Sequence, residues 1–306
     1  MQFADPRTDF VFKRVFGNDQ AKEVLISFLN AVIGLEGPRA VAEVHILEPY
    51  QAPRIPSLKH SFLDVKCRDH RGIEFVVEMQ IQYVEGLEKR IQYNACKAYV
   101  GQLASGEDYP KLNQVIGITV LDFTMFRDFE HYLSCHEFKE KFTGNCYLDE
   151  IRHYFIELPK FIKKEAELES PIEKWCYFIK HAGKLNLIPE KLKSEPYLKA
   201  FELASRANMT QEEWEAFDMT MMWIQDQRGA ASASLKEGWQ KGLQEGREAG
   251  LQEGREVGLQ QGLQQGLQQG RRDSAIEIAR ALRQANVVPD LISTTTGLSL
   301  DEIATL

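Results

Sequence analysis

Two acidic residues, Asp64 and Glu78, are predicted to face each other on a β-hairpin, where together they could bind a divalent cation. Residues 60–82 read HSFLDVKCRDHRGIEFVVEMQIQ, with alternating apolar and polar side chains on both sides of a connection that ends at Gly72. A three-residue connection with Gly in the left-handed position is typical of a hairpin. Counting outward from it pairs Asp64 with Glu78, about 5 Å apart at Cβ.

Like charges at this separation repel, and a hard divalent cation between them removes the repulsion. Mg²⁺ favours sites with one or two carboxylates, waters and a substrate phosphate. A solvated polar face is the alternative, because acidic cross-strand pairs also occur without a metal. Between residues 54 and 71, five basic residues outnumber two acidic ones, which indicates either an anionic ligand or an ordinary mixed surface; the five are Arg54, Lys59, Lys66, Arg68 and Arg71.

The hairpin has one apolar and one mainly polar face, because strand side chains alternate. The apolar face is predicted to join the core; it carries Leu63, Val65, Cys67, Ile73, Phe75, Val77, Met79 and Ile81. The polar face carries the acidic pair and is predicted to lie outside the core. Substitution of either acid by alanine is therefore expected to leave the fold intact.

The elements around the hairpin predict an α/β fold with the order α-β-β-β-α-β over the first 122 residues. Helical spacing, strand alternation and a β-branched run indicate, in chain order, a helix at 20–33, a strand at 42–48, the hairpin, a helix at 86–106 and a strand at 114–123. A further strand is predicted at 150–158, and helical patterns dominate from Pro159 onward.

Composition and charge are those of an ordinary globular protein. Of 306 residues, 43% are hydrophobic and 27% charged, with a net charge of −8. The acidic balance disfavours a nucleic-acid coat protein but does not exclude a nuclease. Without a long apolar run or an apolar signal core, we expect a cytoplasmic chain with no membrane partner. The five cysteines show no CxxC spacing and are expected to be reduced.

The order of elements, with an acid on the second strand and Glu-x-polar on the third, resembles the PD-(D/E)XK nuclease core, a restriction-endonuclease-like fold. Four separated motifs are similar to those of the Rpn-type recombination-promoting nucleases, also labelled PD-(D/E)XK nuclease family transposases. They are TDFVFKRVFG at 8–17, LDVKCRDHRGIEFVVEMQ at 63–80, Arg90 with Tyr93, and GEDYPKLNQVIGITVLDF at 106–123. The resemblance covers residues 5–160 in pattern.

This resemblance implies a metal-dependent DNA endonuclease that uses Mg²⁺ or Mn²⁺ and acts on double-stranded DNA. It implies metal ligation by Asp64 and Glu78, with the carbonyl of Met79 as a third protein ligand. Asp9 matches the acidic residue of an N-terminal helix, although an acid there could equally offset the helix dipole.

Two residues depart from the family motif. Leu63 replaces its proline, and Gln80 stands where the catalytic lysine usually sits, although the family commonly carries Glu-x-Gln. Because Gln has no positive charge, another cation must stabilise the transition state. Lys66 on the polar face is one candidate and Lys97 on the second predicted helix another; for each, a solvated lysine is the alternative. We expect Lys66→Ala to slow cleavage more than Gln80→Ala.

The second predicted helix carries the expected DNA contacts. Arg90 and Tyr93 match the family motif, and Lys97 follows Arg90 at a spacing of seven residues, on the same side of a helix. The alternative for Arg90 and Tyr93 is that they cap or brace the core.

A glycine falls at every fourth position from Gly238 to Gly270, nine in all. Each weakens a helix by about 0.8–1.0 kcal/mol relative to alanine, so packing would have to compensate. Glycine rows allow helices to approach closely, but a four-residue step drifts about 40° per repeat and gives no straight seam. The two interpretations are a self-associating helix, which would make the chain a homo-oligomer, and a semi-flexible tether.

The chain is therefore divided into a nuclease-like domain at 1–160, a helical region at 161–229, the repeat helix or tether at 230–272 and a small helical tail at 273–306. The tail resembles a helix-turn-helix around Gly297, but the absence of basic residues after Arg283 favours a protein-interaction or folding unit. Two rivals to the nuclease are a catalytically weak nuclease-fold binding module, favoured by Gln80, and an assembly scaffold built on the repeat.

Overall fold

A six-stranded mixed sheet is the basis of the first of two compact units, Met1–Gln225; the second is Asp226–Leu306. The computed structural model describes residues 2–51 and 61–306. In spatial order the strands are β1 (Val44–Leu47), β4 (Val65–Asp69), β5 (Glu74–Gln80), β6 (Val115–Leu121), β8 (Leu148–Glu157) and β7 (Leu133–Phe138). The β5–β6 and β6–β8 pairs are parallel and the others antiparallel. β2 (Tyr50–Gln51) and β3 (Ser61–Phe62) form a separate ribbon.

Helices precede, connect and follow these strands. They are α1 (Asp9–Phe16), α2 (Lys22–Ile33), α3 (Leu87–Gly101), α4 (Pro171–His181), α5 (Tyr197–Ala204), α6 (Gln211–Gln284), α7 (Pro289–Thr296) and α8 (Leu300–Thr305). The predicted helices and strands of the first 122 residues are confirmed to within a few residues, as is the strand near 150. Strand β7 was not predicted, because its residues alternate poorly and a register shift interrupts its pairing between His136 and Phe138.

The register predicted for the hairpin is confirmed. Val65 pairs with Val77 and Arg68 with Glu74, and Gly72 in the connection has φ +89°. Asp64 immediately precedes β4, so it occupies the next position along the ladder, opposite Glu78.

The connection provides a test of this register through Gly72. A Cβ at this position would lie 2.7 Å from Asn113 Oδ1, and a left-handed backbone costs alanine about 1–2 kcal/mol. We expect Gly72→Ala to lower the free energy of unfolding by more than that backbone cost, measured by urea denaturation. Gly34→Ala is the matched control, since Gly34 has φ +74° and no atom within 4 Å of its would-be Cβ. Equal losses in the two variants would contradict the close contact.

Helices cover both faces of the sheet, which corrects the expectation for the polar face. The apolar face, including Val65 and Val77, packs into the main core with α1, α2, α4 and α5. On the opposite face α3 lies over the sheet, and Glu74 and Glu78 are only 1% and 5% exposed. The prediction that this face lies outside the core was wrong, because amphipathic α3 docks on it.

The assignment of Leu63 to the main core was also wrong. Its side chain is buried beneath α3, in a cluster with Val76, Ala95, Ala98 and Val115. Strict alternation does not hold there, because residues 63 and 64 lie outside β4 and follow an irregular backbone.

The glycine repeat lies within α6, and the tail forms a core of its own. Ala279 on α6 is buried with Ile292 on α7 and with Leu298 and Ile303 near and on α8. Gly297, at φ +73°, ends α7 in the left-handed conformation that glycine favours. The predicted helical tail is thus present. Across the described part of the chain, none of the helices combines the length and apolarity needed to cross a bilayer.

Candidate metal centre

Asp64 is held against the end of β5 by a backbone hydrogen bond. Its Oδ2 accepts the N–H of Met79 at 2.7 Å. The N–H and C=O of one strand residue point toward the same neighbour, so the Met79 carbonyl is also directed to the side on which Asp64 lies. This arrangement favours the assignment of that carbonyl as a ligand, which stays a prediction.

Helix α1 brings Asp9 and Lys13 to Asp64. Lys13 Nζ lies 2.9 Å from Asp9 Oδ1 and 3.6 Å from Asp64 Oδ1. Burial and the neighbouring Asp9 carboxyl raise the pKa of Asp64 well above its ordinary value. Desolvation also acts to raise the pKa of Asp9, but its hydrogen bonds with Asp64 and Lys13 outweigh this and lower it. The two carboxyls therefore share a proton when no metal is bound.

Glu78 is buried beneath α3 and contacts neutral amides. Its Oε1 accepts a hydrogen bond from Asn94 Nδ2 at 2.7 Å and its Oε2 one from Gln80 Nε2 at 3.3 Å. Burial raises the pKa of Glu78, while Asn94 and the charge of Arg90 oppose that shift. Asn94 thus fixes the orientation of a carboxylate that is poorly neutralised by protein groups alone.

The position of the missing lysine is occupied by a Gln–Arg pair. Gln80 Oε1 accepts a hydrogen bond from Arg90 Nη2 at 2.5 Å, which places a guanidinium beside the acidic pair. Tyr93 and Lys97 follow Arg90 on the outer side of α3, with Lys97 Nζ 5.8 Å from the Tyr93 ring centroid. The three predicted DNA contacts therefore share one helix face next to the acids.

Lys66 is engaged elsewhere on the hairpin. Its Nζ lies 3.0 Å from Glu74 Oε2, and the guanidinium of Arg68 lies 2.5 Å from Glu74 Oε1. Glu74 therefore has two cations, whereas Glu78 has none in direct contact among the ion pairs of the described residues. Arg54 and Lys59, which contributed to the basic segment, lie outside the described residues.

These groups fit a hard divalent cation. Asp64 and Glu78 supply carboxylate oxygens, the ligands that Mg²⁺ prefers, and both are buried acids whose pKa values are raised mainly by desolvation. A buried carboxylate is costly until a cation neutralises it. The donor set and its electrostatics therefore match the predicted cofactor.

A second group of possible metal ligands lies at the β7–β8 hairpin. One ligand atom from each of Glu137, Cys146 and Asp149 lies within 4.8 Å of the others. Arg152 already neutralises both acids, with its Nε 2.5 Å from Asp149 Oδ1 and 3.5 Å from Glu137 Oε2. An arginine in this position competes with a metal ion, so this group is the weaker candidate.

Sequence reasoning missed two residues of the centre, Lys13 and Asn94. The spacing of Lys13 from Asp9, four residues on a short helix, is a signal that could have indicated it. For Asn94 the corresponding signal is its position one turn after Arg90, as a polar residue on the otherwise apolar face of α3.

The acidic pair at the end of a hairpin, joined through a helix to a parallel strand, defines an α/β fold of the PD-(D/E)XK restriction-endonuclease-like class. A family model described as "PD-(D/E)XK nuclease family transposase" matches residues 6–234. The chain belongs to this family, which confirms the resemblance found in the sequence. No curated protein and no solved structure matches the chain significantly.

Proposed function

We propose that this chain is a metal-dependent DNA endonuclease that hydrolyses phosphodiester bonds, with Mg²⁺ or Mn²⁺ held by Asp64, Glu78 and the Met79 carbonyl. The observation that carries the proposal is the meeting of two desolvated carboxylates with no direct cation on Glu78. A bound divalent cation would activate water and neutralise the scissile phosphate.

The remaining residues of the centre orient these ligands and supply charge. Asn94 holds the Glu78 carboxylate, and Met79 N–H holds that of Asp64. Lys13 and Arg90 approach the acidic pair from α1 and from α3, so they replace Lys66 as the cations that we expect to stabilise a developing phosphorane. Tyr93 and Lys97 extend the same surface along α3 for contacts with the DNA backbone.

A plasmid-nicking assay tests this proposal. We expect the full chain to nick supercoiled plasmid in Mg²⁺ or Mn²⁺ and to be inactive in EDTA. The rival function, a catalytically weak binding module, is favoured by the absence of a motif lysine at Gln80. DNA binding in Ca²⁺ without nicking in any metal would support that rival.

Arg90 provides a prediction about the missing lysine. Removing one donor that stabilises transition-state charge costs about 10²–10³-fold in rate when the site is fully enclosed. Because Arg90 is exposed and acts beside Gln80, we expect Arg90→Gln to slow nicking by about 10–10²-fold. Lys66→Gln is expected to affect mainly stability, since Lys66 pairs with Glu74.

Lys89→Gln is the matched control for Arg90→Gln, because Lys89 is the preceding exposed cation on α3. Nicking rates at saturating DNA separate the two effects from loss of binding. A larger rate loss in Lys66→Gln than in Arg90→Gln would restore Lys66 to the mechanism.

We also propose that copies of the chain associate through the repeat in α6. The leucines of the repeat are exposed, between 59% and 74% for Leu243, Leu251, Leu259, Leu263 and Leu267. A side chain of this kind is normally buried. A second α6 helix would cover these leucines and approach closely at the glycines.

A further inference from the structure

A small cavity on the α3 side of the sheet contains a buried histidine without a hydrogen-bond partner. The cavity has a volume of about 160 Å³, and its walls include Ile91, Met125, Phe126, His136, His153 and Phe155. His153 is 5% exposed, and neither of its ring nitrogens has a hydrogen-bond partner among the described residues. Buried polar groups almost always have a partner, so an unpaired imbedded ring indicates a missing ligand.

The sheet creates this space deliberately in one place. Gly117 on β6 is the register neighbour of His153 on β8, and a Cβ at position 117 would lie 2.8 Å from His153 Nδ1. The absence of a side chain at Gly117 therefore lets the imidazole lie over the sheet. Across β8, His136 is the register neighbour on β7 and is already bound through Nε2 to Ser134 Oγ at 3.1 Å.

The chemistry of the walls selects a planar, neutral ring. Phe126 and Phe155 meet edge to face with ring centroids 5.1 Å apart, and the ring of His136 is 4.9 Å and 5.1 Å from theirs. Burial and the proximity of His136 lower the pKa of His153 to about 4. At neutral pH the ring thus offers one donor and one acceptor. Cavities of about 150 Å³ accommodate a benzene-sized ring.

The position and charge of the cavity indicate where such a ring comes from. Phe155 lies in the same row of the sheet as Glu78, with Thr119 between them, so the cavity is about 10 Å from the acidic pair, two strand spacings away. Glu88 and Gln92, on the exposed side of α3, form its mouth. The carboxylate of Glu88 disfavours a phosphate there and accepts hydrogen bonds from an exocyclic amino group.

We propose that this cavity binds one extruded nucleobase of the DNA strand, next to the phosphate that is cleaved. Enzymes that take a base out of the stack read it through hydrogen bonds and aromatic contacts of this kind. The proposal rests on the proposed nuclease function. It adds a base contact to a site whose other DNA contacts go to the backbone.

The test measures the affinity of the full chain, in Ca²⁺, for short duplexes in which an abasic position is moved one nucleotide at a time. In the wild type we expect about tenfold weaker binding at one position near the cleaved phosphate. His153→Phe, which fills the cavity, should bind the intact duplex and show no such position. His45→Phe is the matched control because His45 is exposed on β1, and it should keep the wild-type profile.

If His153→Phe does not fold, Gln92→Trp closes the mouth from the exposed side of α3 and should also remove the position dependence. A flat profile in a wild type that nicks plasmid in Mg²⁺ would overturn the base pocket, leave the nuclease intact and indicate ordered water only. A profile retained in both variants would also overturn it.

Free cytidine and thymidine provide a second arm, followed by NMR of ¹³C-labelled histidine rings. Cytidine has an exocyclic amino group and thymidine does not, so preferential shifts of the His153 signals by cytidine support the assigned chemistry. Nucleoside binding by a chain that binds no DNA would overturn the strand as the source. Absence of DNA binding, nicking and nucleoside shifts would overturn both proposals.

Discussion

Replacing Glu78 by glutamine is expected to reduce divalent-dependent nicking by about 10³-fold or more. A metal ion contributes several kcal/mol of charge stabilisation, and about 4 kcal/mol corresponds to a thousandfold change in rate. The same variant should be at least as stable as the wild type in EDTA, because it removes a charge that burial disfavours. Mg²⁺ at 100 times its Kd should add about 2.7 kcal/mol to the unfolding free energy of the wild type only.

Glu74→Gln is the matched control, since Glu74 is an equally buried acid two residues earlier on the same face of β5. It pairs with Lys66 and Arg68, so its neutralisation should destabilise the protein by up to about 3 kcal/mol, the low end for a buried pair because Arg68 is partly exposed. Stabilisation by Mg²⁺ should persist in this variant. Nicking that survives in Glu78→Gln, or Mg²⁺ stabilisation lost in Glu74→Gln, would remove Glu78 from the metal centre.

Replacing three glycines of the repeat, Gly242, Gly246 and Gly250, by alanine is expected to separate the two interpretations of α6. No atom lies within 4 Å of a Cβ built at any of them, so each alanine should stabilise an isolated helix by about 0.8–1.0 kcal/mol. If copies pack through the glycines, the added methyl groups hold the helices apart. We then expect helicity to increase while association weakens at least tenfold, measured by circular dichroism and light scattering.

A chain ending at Arg228 provides the control for that experiment. It keeps the acidic pair and every proposed DNA contact, so its nicking activity should be retained, and it should be monomeric. The full chain should have at least twice its molar mass per particle. Equal ratios of measured mass to chain mass in the two proteins would refute association through the repeat and leave the nuclease proposal untouched.

The sequence was informative about local geometry and less so about what packs on it. The register of Asp64 opposite Glu78 could be predicted, because the turn at Gly72 and the alternation of side chains determine it. The burial of Glu78 could not, because the docking of α3 on a mixed polar face is a tertiary event. The proximity of Lys66 in sequence suggested a catalytic role, but side-chain reach allows it to pair with Glu74 instead. The roles assigned to the site residues remain predictions.

The irregular pairing of β7 has a consequence for the way in which copies of this chain can meet. An edge strand with unpaired backbone groups is a template for the strand of another molecule. In β7 the register shifts between His136 and Phe138, and Glu137 and Lys139 place an ion pair of 3.2 Å beside that shift. A bulge and charges at the edge disfavour a straight incoming strand. Growth of the sheet from molecule to molecule is therefore blocked at this side, and a defined helical assembly can form without competing aggregation there.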